Sequence, residues 1–137
     1  MPDLHQKARK IFDQIKFVRC PCFPNEKVIF NAKGINHLFY NGPRSKRSHK
    51  EIETRLKLLP RTIELLQKMP IPQEESKIVK DTKNIKFWAF EGVIRERRIK
   101  VIVRQIGNGQ KHFWSVIPFW RKNRFGVKNS SSSLPKL

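Results

Sequence analysis

The chain has 137 residues and a formal net charge of +19, since 30 Lys and Arg outnumber 11 Asp and Glu. That length fits one ordinary domain, and so large a positive charge favours a nucleic acid as partner, because binding releases counterions from the phosphate backbone. The longest apolar stretches, residues 101–103 and 116–118, are far short of the roughly 18 residues that a membrane span needs. Since residues 1–16 also lack the apolar core of a secretory signal, we expect a soluble, cytoplasmic monomer with no membrane partner.

An amphipathic helix followed by a linker containing Pro and Cys is predicted for residues 1–26. Apolar side chains recur there at helical spacing, and Pro21 and Pro24 then interrupt regular structure. Cys20 and Cys22 are separated by one residue, which is poor geometry for a disulfide and supplies at most half of a zinc site. Further zinc ligands would have to come from His5, His37 or His49. We therefore expect no cofactor and no metal.

A short strand is predicted for residues 27–30, and Asn31 is a suitable N-cap for a short helix that carries His37. Residues 43–50 hold four Lys and Arg and one His without hydrophobic periodicity. We expect this segment to be an exposed basic loop.

A longer helical region follows the basic loop. Ser48 and Glu51 have the spacing of a capping box, and residues 52–69 contain an apolar stripe at helical spacing. Pro60 lies near the middle of the stripe, so either one kinked helix or two shorter helices fit the pattern. Residues 71–84, rich in Pro, Glu and Lys, are predicted to be a linker.

Hydrophobic alternation with a period of two predicts three antiparallel strands at residues 87–94, 99–106 and 111–119. Asn108-Gly109 is a hairpin signal between the last two strands. A two-residue loop at this point fixes the cross-strand pairs on one face of the sheet. They are Gln105 with His112, Val103 with Trp114, and Val101 with Val116. The other face then carries Arg104, Lys111 and Ser115.

These elements predict an α+β fold in which N-terminal helices pack on a C-terminal antiparallel sheet, a meander of three long strands plus one short strand. We assign the folded domain to residues 27–120. Residues 121–137 are predicted to be a basic, Ser-rich, flexible tail, whose cations can contact phosphate without being folded.

Several common catalytic motifs are missing from the sequence. It has no Gly-rich nucleotide loop, serine hydrolase elbow or paired-histidine zinc motif, and its few, scattered acidic residues argue against a site for two Mg²⁺ ions. RNA can be cleaved without metal, because its 2′-hydroxyl attacks phosphorus when a base removes the proton, an acid protonates the leaving oxygen and cations stabilise the phosphorane. Histidine, arginine, lysine and an oriented hydroxyl suffice for these roles.

The catalytic candidates are His37, Arg104, Lys111, His112 and Ser115. His112 lies in a basic and aromatic strand and suits either proton role, and His37 could take the other role if its helix packs across the sheet. The alternative for each histidine is structural: a solvated His112 bonded to Gln105, or a His37 satisfied on an apolar helix face. Arg104 and Lys111 would stabilise the phosphate, and Ser115 would orient either the phosphate or the attacking hydroxyl.

Aromatic residues near these strands either stack bases or belong to the core. They are Trp88, Phe113, Trp114 and Trp120, and of these we select Trp114 as an RNA-binding candidate. The other candidates for binding RNA are Arg44, Lys46, Arg47, His49, Arg121, Lys122 and Arg124.

Two short motifs accompany this order of elements. They are Ile35-Asn36-His37-Leu38 in the short helix and Lys111-His112-Phe113-Trp114-Ser115-Val116-Ile117-Pro118 at the end of the meander. Over residues 27–120 the chain resembles the small nucleases grouped around barnase, EndoU, colicin D and the RelE-type toxins, especially their phage-associated and polymorphic-toxin branch. The resemblance implies a metal-independent ribonuclease with a helix histidine at His37 and sheet residues Arg104, Lys111, His112 and Ser115.

We therefore predict a metal-independent RNA endonuclease of toxin or phage-conflict type that leaves a 2′,3′-cyclic phosphate. Its expected partners are RNA and an acidic antitoxin or immunity protein. The alternative is a non-enzymatic RNA-binding module, in which the same cations and aromatic rings supply affinity alone. A sequence-directed DNA binder is less favoured, because the chain has no convincing recognition helix.

Overall fold

A computed structural model of the chain describes residues 3–41 and 45–118. This part of the chain contains four helices and six strands, which confirms the predicted α+β class. In chain order the elements are α1 (Leu4–Ile15), β1 (Phe17–Val18), β2 (Val28–Ile29), α2 (Ala32–Phe39), α3 (His49–Lys57), α4 (Leu59–Lys68), β3 (Glu74–Lys80), β4 (Lys83–Ile94), β5 (Arg97–Ile106) and β6 (Lys111–Pro118).

The six strands form one mixed sheet in the order β1-β2-β6-β5-β4-β3. The last four strands in sequence, β3 to β6, are an antiparallel meander. β2 pairs with β6 in parallel, and β1 pairs with β2 in the antiparallel sense outside it. The sheet is therefore larger than the predicted meander of three long strands and one short strand, and it is mixed instead of purely antiparallel.

The prediction of a linker at residues 71–84 is wrong, because this segment contains β3 and the start of β4. Asp81 and Thr82, between these strands, have φ of 52° and 65°, the positive values that a type I′ hairpin turn requires. Arg95 and Glu96 have φ of 49° and 67° between β4 and β5. None of these four residues is Gly or Asn, so the usual sequence signal of such turns is missing.

The hairpin between β5 and β6 has a longer connection than predicted. Residues 107–110, four residues instead of two, join the strands. At the far end of the hairpin Val101 pairs with Val116, which confirms that predicted pair. A β-bulge between Ile102 and Val103 then changes the register of the pairing.

Beyond the bulge the pairing differs from the prediction by one residue. The observed pairs are Val103 with Phe113 and Arg104 with His112. The predicted pairs Val103 with Trp114 and Gln105 with His112 are wrong. Facing residues share a side of the sheet, so His112 lies on the same side as Arg104, and Lys111 lies on the other side. Trp114 is the extra residue of the bulge.

The long helical region consists of two helices. Ser48 caps α3 as predicted, since its Oγ accepts a hydrogen bond from the N–H of Glu51 at 3.1 Å. α3 ends at Lys57 with Leu58 as its C-cap, and α4 follows directly with Pro60 in its first turn, where the missing N–H costs no helical hydrogen bond. Of the two forms that the sequence allowed, the structure has the pair of shorter helices.

Both sides of the sheet bury apolar side chains. The helix-packed face contributes to the main core with Trp88, Phe90, Val101, Val103 and Phe113. The opposite side, which we name the second face, carries Ile85, Phe87, Ala89, Ile102 and Trp114. The strand register places Arg104, His112 and Ser115 on the second face as well.

Helix α2 lies beside the part of β6 that β2 leaves unpaired. β2 pairs only with the first two residues of β6, and α2 approaches the next residues at Gly34. A Cβ on Gly34 would lie 2.6 Å from the carbonyl oxygen of Phe113, so only glycine permits this approach. The approach places His37, one turn further along α2, against Trp114.

Gly34→Ala is expected to lower the free energy of unfolding by about 1 to 2 kcal/mol, because the methyl group forces α2 away from the backbone of β6. This net loss combines a steric cost of about 2 to 3 kcal/mol with the roughly 1 kcal/mol that alanine gains as a better helix former. Gly92→Ala is the matched control, since its Cβ would meet only the flexible Cδ1 of Leu65, at 2.7 Å. Urea unfolding measures both variants, and equal losses would contradict the close approach of α2.

Candidate functional site

The indole of Trp114 is the centre of the candidate site. The imidazole of His37 stacks on it, with ring centroids 4.1 Å apart and an interplanar angle of 20°. The guanidinium carbon Cζ of Arg104 lies 3.5 Å from the indole centroid, in a cation–π contact. Two groups this close to one centroid would collide on the same side, so His37 and Arg104 sandwich the indole. A helix side chain and a strand side chain thus meet at the bulge residue.

Arg104 also contacts His112, its cross-strand partner. The Nε–H of Arg104 donates to Nε2 of His112 at 3.0 Å, and a backbone hydrogen bond at Gln110 partly opposes the lowering of the pKa of His112. The neutral imidazole therefore carries its proton on Nδ1, and its Nε2 lone pair faces the guanidinium. His112 is 2% exposed. Its ring is held in one tautomer and one orientation.

Two further arginines reach the site from α3 and the residues just before it. The Nε–H of Arg47 donates to the carbonyl oxygen of His37 at 3.1 Å, and its Nη2 lies 3.4 Å from Nε2 of His37. Nη1 of Arg55 donates to the hydroxyl oxygen of Ser115 at 3.3 Å and to the carbonyl oxygen of Val116 at 2.6 Å. We refer to the following set as the cationic cluster: His37, Arg47, Arg55, Arg104, His112, Trp114 and Ser115.

The cationic cluster holds more positive charge than its neighbours balance. In the described part of the chain Glu51 pairs with Arg47 at 3.8 Å, and its charge also acts on Arg55, whereas no carboxylate forms an ion pair with Arg55 or Arg104. Removing a guanidinium from water without a counter-charge is costly, and an anion bound between these side chains would offset that cost. Planar guanidinium groups match phosphate oxygens in particular. The cluster is therefore suited to binding a phosphate.

Both histidines of the cluster resist protonation. Burial, followed by the charges of the three arginines, lowers the pKa of His37 to about 3. Burial and the charge of Arg104 lower the pKa of His112 to about 4. Burial likewise lowers the pKa of Arg55 and that of Arg104 to about 10. At pH 7 both imidazoles are neutral in the free protein, and a bound anion would raise their pKa values by offsetting the arginine charges.

The free energy of unfolding is expected to fall as the pH falls from about 6.5 to 4. The folded-state pKa values of His37 and His112 lie below the ordinary value of 6.5, so in this window the unfolded chain binds more protons and gains stability relative to the folded chain. At pH 5 the loss reaches about 2 kcal/mol for each histidine. Above pH 6.5 neither histidine makes the free energy of unfolding depend on pH.

Urea unfolding at pH 7 and pH 5 checks this dependence. His37→Gln and His112→Gln should each remove about half of the loss of unfolding free energy between pH 7 and pH 5. Inorganic phosphate should reduce this loss in the parent protein. The exposed His49 lies outside the cationic cluster, so His49→Gln supplies the control substitution. An identical pH dependence in all three variants would contradict the shielding of the two cluster histidines.

Lys111 lies apart from the other four predicted catalytic residues. Its Nζ pairs with Glu26 at 2.6 Å and lies over the rings of Phe23 and Trp88 on the helix-packed face. The predicted grouping of Lys111 with Arg104 is therefore wrong, because the register beyond the bulge turns these two side chains to opposite sides of the sheet. The structure does bring together His37, Arg104, His112 and Ser115.

The segment predicted to be an exposed basic loop is exposed only in part. The side chain of Arg47 is 7% exposed and belongs to the cationic cluster, so the prediction is wrong for this residue. Lys46 and His49 are exposed. They line a groove of about 1000 Å³ between α1 and the pair α3–α4, which contains no member of the cationic cluster.

The structure describes some of the remaining aromatic and RNA-binding candidates, and the others lie outside the described residues. Trp88 and Phe113 are buried in the main core, the structural alternative that the sequence left open. Trp114, the RNA-binding candidate, is on the second face. The residues that lie outside the described ones are Arg44, Trp120, Arg121, Lys122 and Arg124, together with the predicted flexible tail.

Arg55 is a member of the cluster that the sequence motifs do not single out. It lies between Ile52 and Leu56, which are both buried on the inner side of α3. Residues three or four apart share one side of a helix, so an arginine at this position faces towards the protein interior. A cation that interrupts an apolar stripe is the sequence signal that could have identified it.

The fold and the cluster together define an α+β protein in which two histidines and one arginine contact one indole ring. The chain matches no family model, no curated protein and no solved structure. No helix among the described residues is long and apolar enough to cross a membrane.

Proposed function

We propose that the protein is a metal-independent endoribonuclease of toxin or phage-conflict type, which cleaves RNA by attack of the 2′-hydroxyl on phosphorus. One observation carries this proposal: two neutral imidazoles and the guanidinium of Arg104 contact the indole of Trp114, and two more guanidinium groups bind His37 and Ser115 beside it. These are the groups that metal-free cleavage of RNA requires. The nuclease resemblance in the sequence supports the same activity and stays a prediction.

Arg55 and Arg104 are the proposed phosphate ligands. Neither has a carboxylate partner within the described residues, so both can direct N–H groups to phosphate oxygens. The phosphate would enter beside His37 and Arg55, which are half-buried. A cavity of about 270 Å³ adjoins Arg55 and is also lined by Glu51, Thr54 and Pro118. The phosphorane carries more negative charge than the substrate phosphate, so the arginines stabilise the transition state more than the ground state.

His37 and His112 are the proposed proton-transfer groups. A neutral imidazole accepts the proton of the 2′-hydroxyl while that oxygen bonds to phosphorus. The other imidazole, protonated once the phosphate has offset the arginine charges, donates to the 5′-oxygen as the bond between phosphorus and that oxygen breaks. The products are a 2′,3′-cyclic phosphate and a 5′-hydroxyl. The imidazole of His37 stacks on the Trp114 indole, and that of His112 lies edge-on to it, with ring centroids 6.3 Å apart, so the indole is in contact with both proposed proton-transfer groups.

A non-enzymatic RNA-binding module is the second candidate. It is favoured by the environment of His112, whose Nε2 is occupied by Arg104 and whose ring is 2% exposed. In that case the cluster binds a phosphate, and no proton is transferred. An acidic protein that covers the cluster would act as an inhibitor under either proposal.

The test is to incubate the purified protein with a single-stranded RNA oligonucleotide in EDTA. Mass spectrometry is expected to find fragments that end in 2′,3′-cyclic phosphate and 5′-hydroxyl groups. The variant with His37, Arg104 and His112 all replaced by alanine is the control, with its folding checked by circular dichroism. Full cleavage by this variant would reject the assignment, and salt-sensitive binding without products would favour the binding module.

A further inference from the structure

Phe17 is an aromatic side chain that the fold leaves in contact with water. It lies on β1, an edge strand of the sheet, and is 39% exposed. The other exposed large hydrophobic residues in the described part of the chain are aliphatic: Ile71, Val79 and Val93. An exposed aromatic ring contributes little to the core, so its position points to a contact with a ligand.

Two cations lie over the ring of Phe17. Nζ of Lys27 lies 4.4 Å from the ring centroid, and Cζ of Arg19 lies 5.9 Å from it. Both cations also line a groove of about 370 Å³ that continues to the turn between β5 and β6. An aromatic ring beside phosphate-binding cations is the combination with which proteins bind single-stranded nucleic acids.

The strand register connects Phe17 to the cationic cluster. Phe17 pairs with Ile29, Ile29 pairs with His112, and His112 pairs with Arg104. Paired residues on neighbouring strands project to the same side of a sheet, so this row lies on the second face. Neighbouring strands are about 4.8 Å apart, which separates the backbones of Phe17 and His112 by about 10 Å. Phe17 therefore lies within reach of a nucleotide close to a phosphate in the cluster.

We infer that Phe17, with Arg19 and Lys27, is a stacking site for one base of single-stranded RNA, next to the nucleotide whose phosphate the cationic cluster binds. The base takes the place of the two cations over the ring, and the displaced cations contact the phosphate that follows it. This inference rests on the proposed function for its substrate class, and it adds a requirement: the substrate must offer an unpaired base beside the cleavage point, because a base within a duplex cannot stack on a protein ring.

Binding measurements test the site without relying on cleavage. The probe is a single-stranded RNA oligonucleotide with all its 2′-hydroxyls methylated, which cannot be cleaved by their attack. Phe17→Ala is expected to weaken binding about 5- to 150-fold, the range that corresponds to roughly 1 to 3 kcal/mol of base stacking. Phe17→Tyr should retain binding, because it keeps an aromatic ring. Val79→Ala, which shortens an exposed side chain on the opposite edge strand, should have no effect.

An abasic scan of the same oligonucleotide identifies the stacked base. Removal of one particular base should weaken binding to the parent protein and to Val79→Ala, and should have no further effect on Phe17→Ala, since the ring that this base contacts is then missing. Additive losses at every position would overturn the inference.

The outcomes also separate this inference from the proposed function. If Phe17→Ala weakens binding and the parent protein cuts no RNA, the stacking site stands and the nuclease proposal fails. If the parent protein cuts RNA and Phe17→Ala binds and cuts as well as the parent, the nuclease proposal stands and the stacking site is rejected.

Discussion

Replacing His112 by glutamine is expected to lower the rate of RNA cleavage by about 10²- to 10⁴-fold, and the same loss is expected for His37→Gln. Glutamine is uncharged and can still form hydrogen bonds, but it cannot accept and release a proton near neutral pH. Both imidazoles are neutral bases in the free protein because burial and the neighbouring arginines lower their pKa values. Single-turnover cleavage of a short RNA measures the chemical step directly.

The control for these variants is His49→Gln, which changes an exposed histidine outside the cationic cluster and should leave the rate unchanged. If the two cluster histidines share one reaction, the double variant should be little slower than either single variant, because residues that act as a unit are not additive. Rates within a few-fold of the parent for both single variants would remove the histidines from the mechanism and leave the RNA-binding module.

Parts of the site that depend on a few adjacent residues could be predicted from the sequence. Asn31 caps α2, as its side chain accepts from the N–H of Lys33 at 3.1 Å, and Ser48 caps α3. These caps fix where the helices begin, and so which turn of α2 presents His37. The pairing of Val101 with Val116 also agrees with the prediction. Local hydrogen bonds and strict alternation determine all of these features.

The membership of the cationic cluster could not be predicted in the same way, because it depends on one extra residue in β6. The bulge at Trp114 lets Val101 keep its predicted partner while Arg104 gains His112 and Lys111 turns to the helix-packed face. A change of one residue moves every side chain beyond it to the other side of a strand. No residue in this stretch signals a bulge by itself.

The strand β3 and the position of the Arg55 side chain could not be predicted for a different reason. Both depend on contacts with residues far away in sequence. β3 is rich in charged residues, and it is a strand because it pairs along its whole length with β4. Arg55 is held in place by Ser115 and Val116, sixty positions away along the chain. Tertiary contacts of this kind override what local composition predicts.

Replacing Arg104 by lysine is expected to lower kcat by about 10²- to 10³-fold, with a much smaller change in KM. Lysine keeps the positive charge, but it lacks the planar group that lies against Trp114 and donates to His112. An interaction that strengthens as charge develops on the phosphorane appears in kcat and not in KM. Arg55→Lys should show the same pattern, since Arg55 likewise has no carboxylate partner among the described residues.

Lys111→Met is the matched control for the loss of a cation from the same hairpin. Lys111 is paired with Glu26 on the helix-packed face and its Nζ lies over the rings of Phe23 and Trp88; methionine removes this charge and keeps an apolar side chain of similar length beside the two rings. Its kcat should therefore stay within a few-fold of the parent value. If Lys111→Met loses kcat and Arg104→Lys does not, the reacting phosphate binds on the helix-packed face, and the cationic cluster around Trp114 is not the site of cleavage.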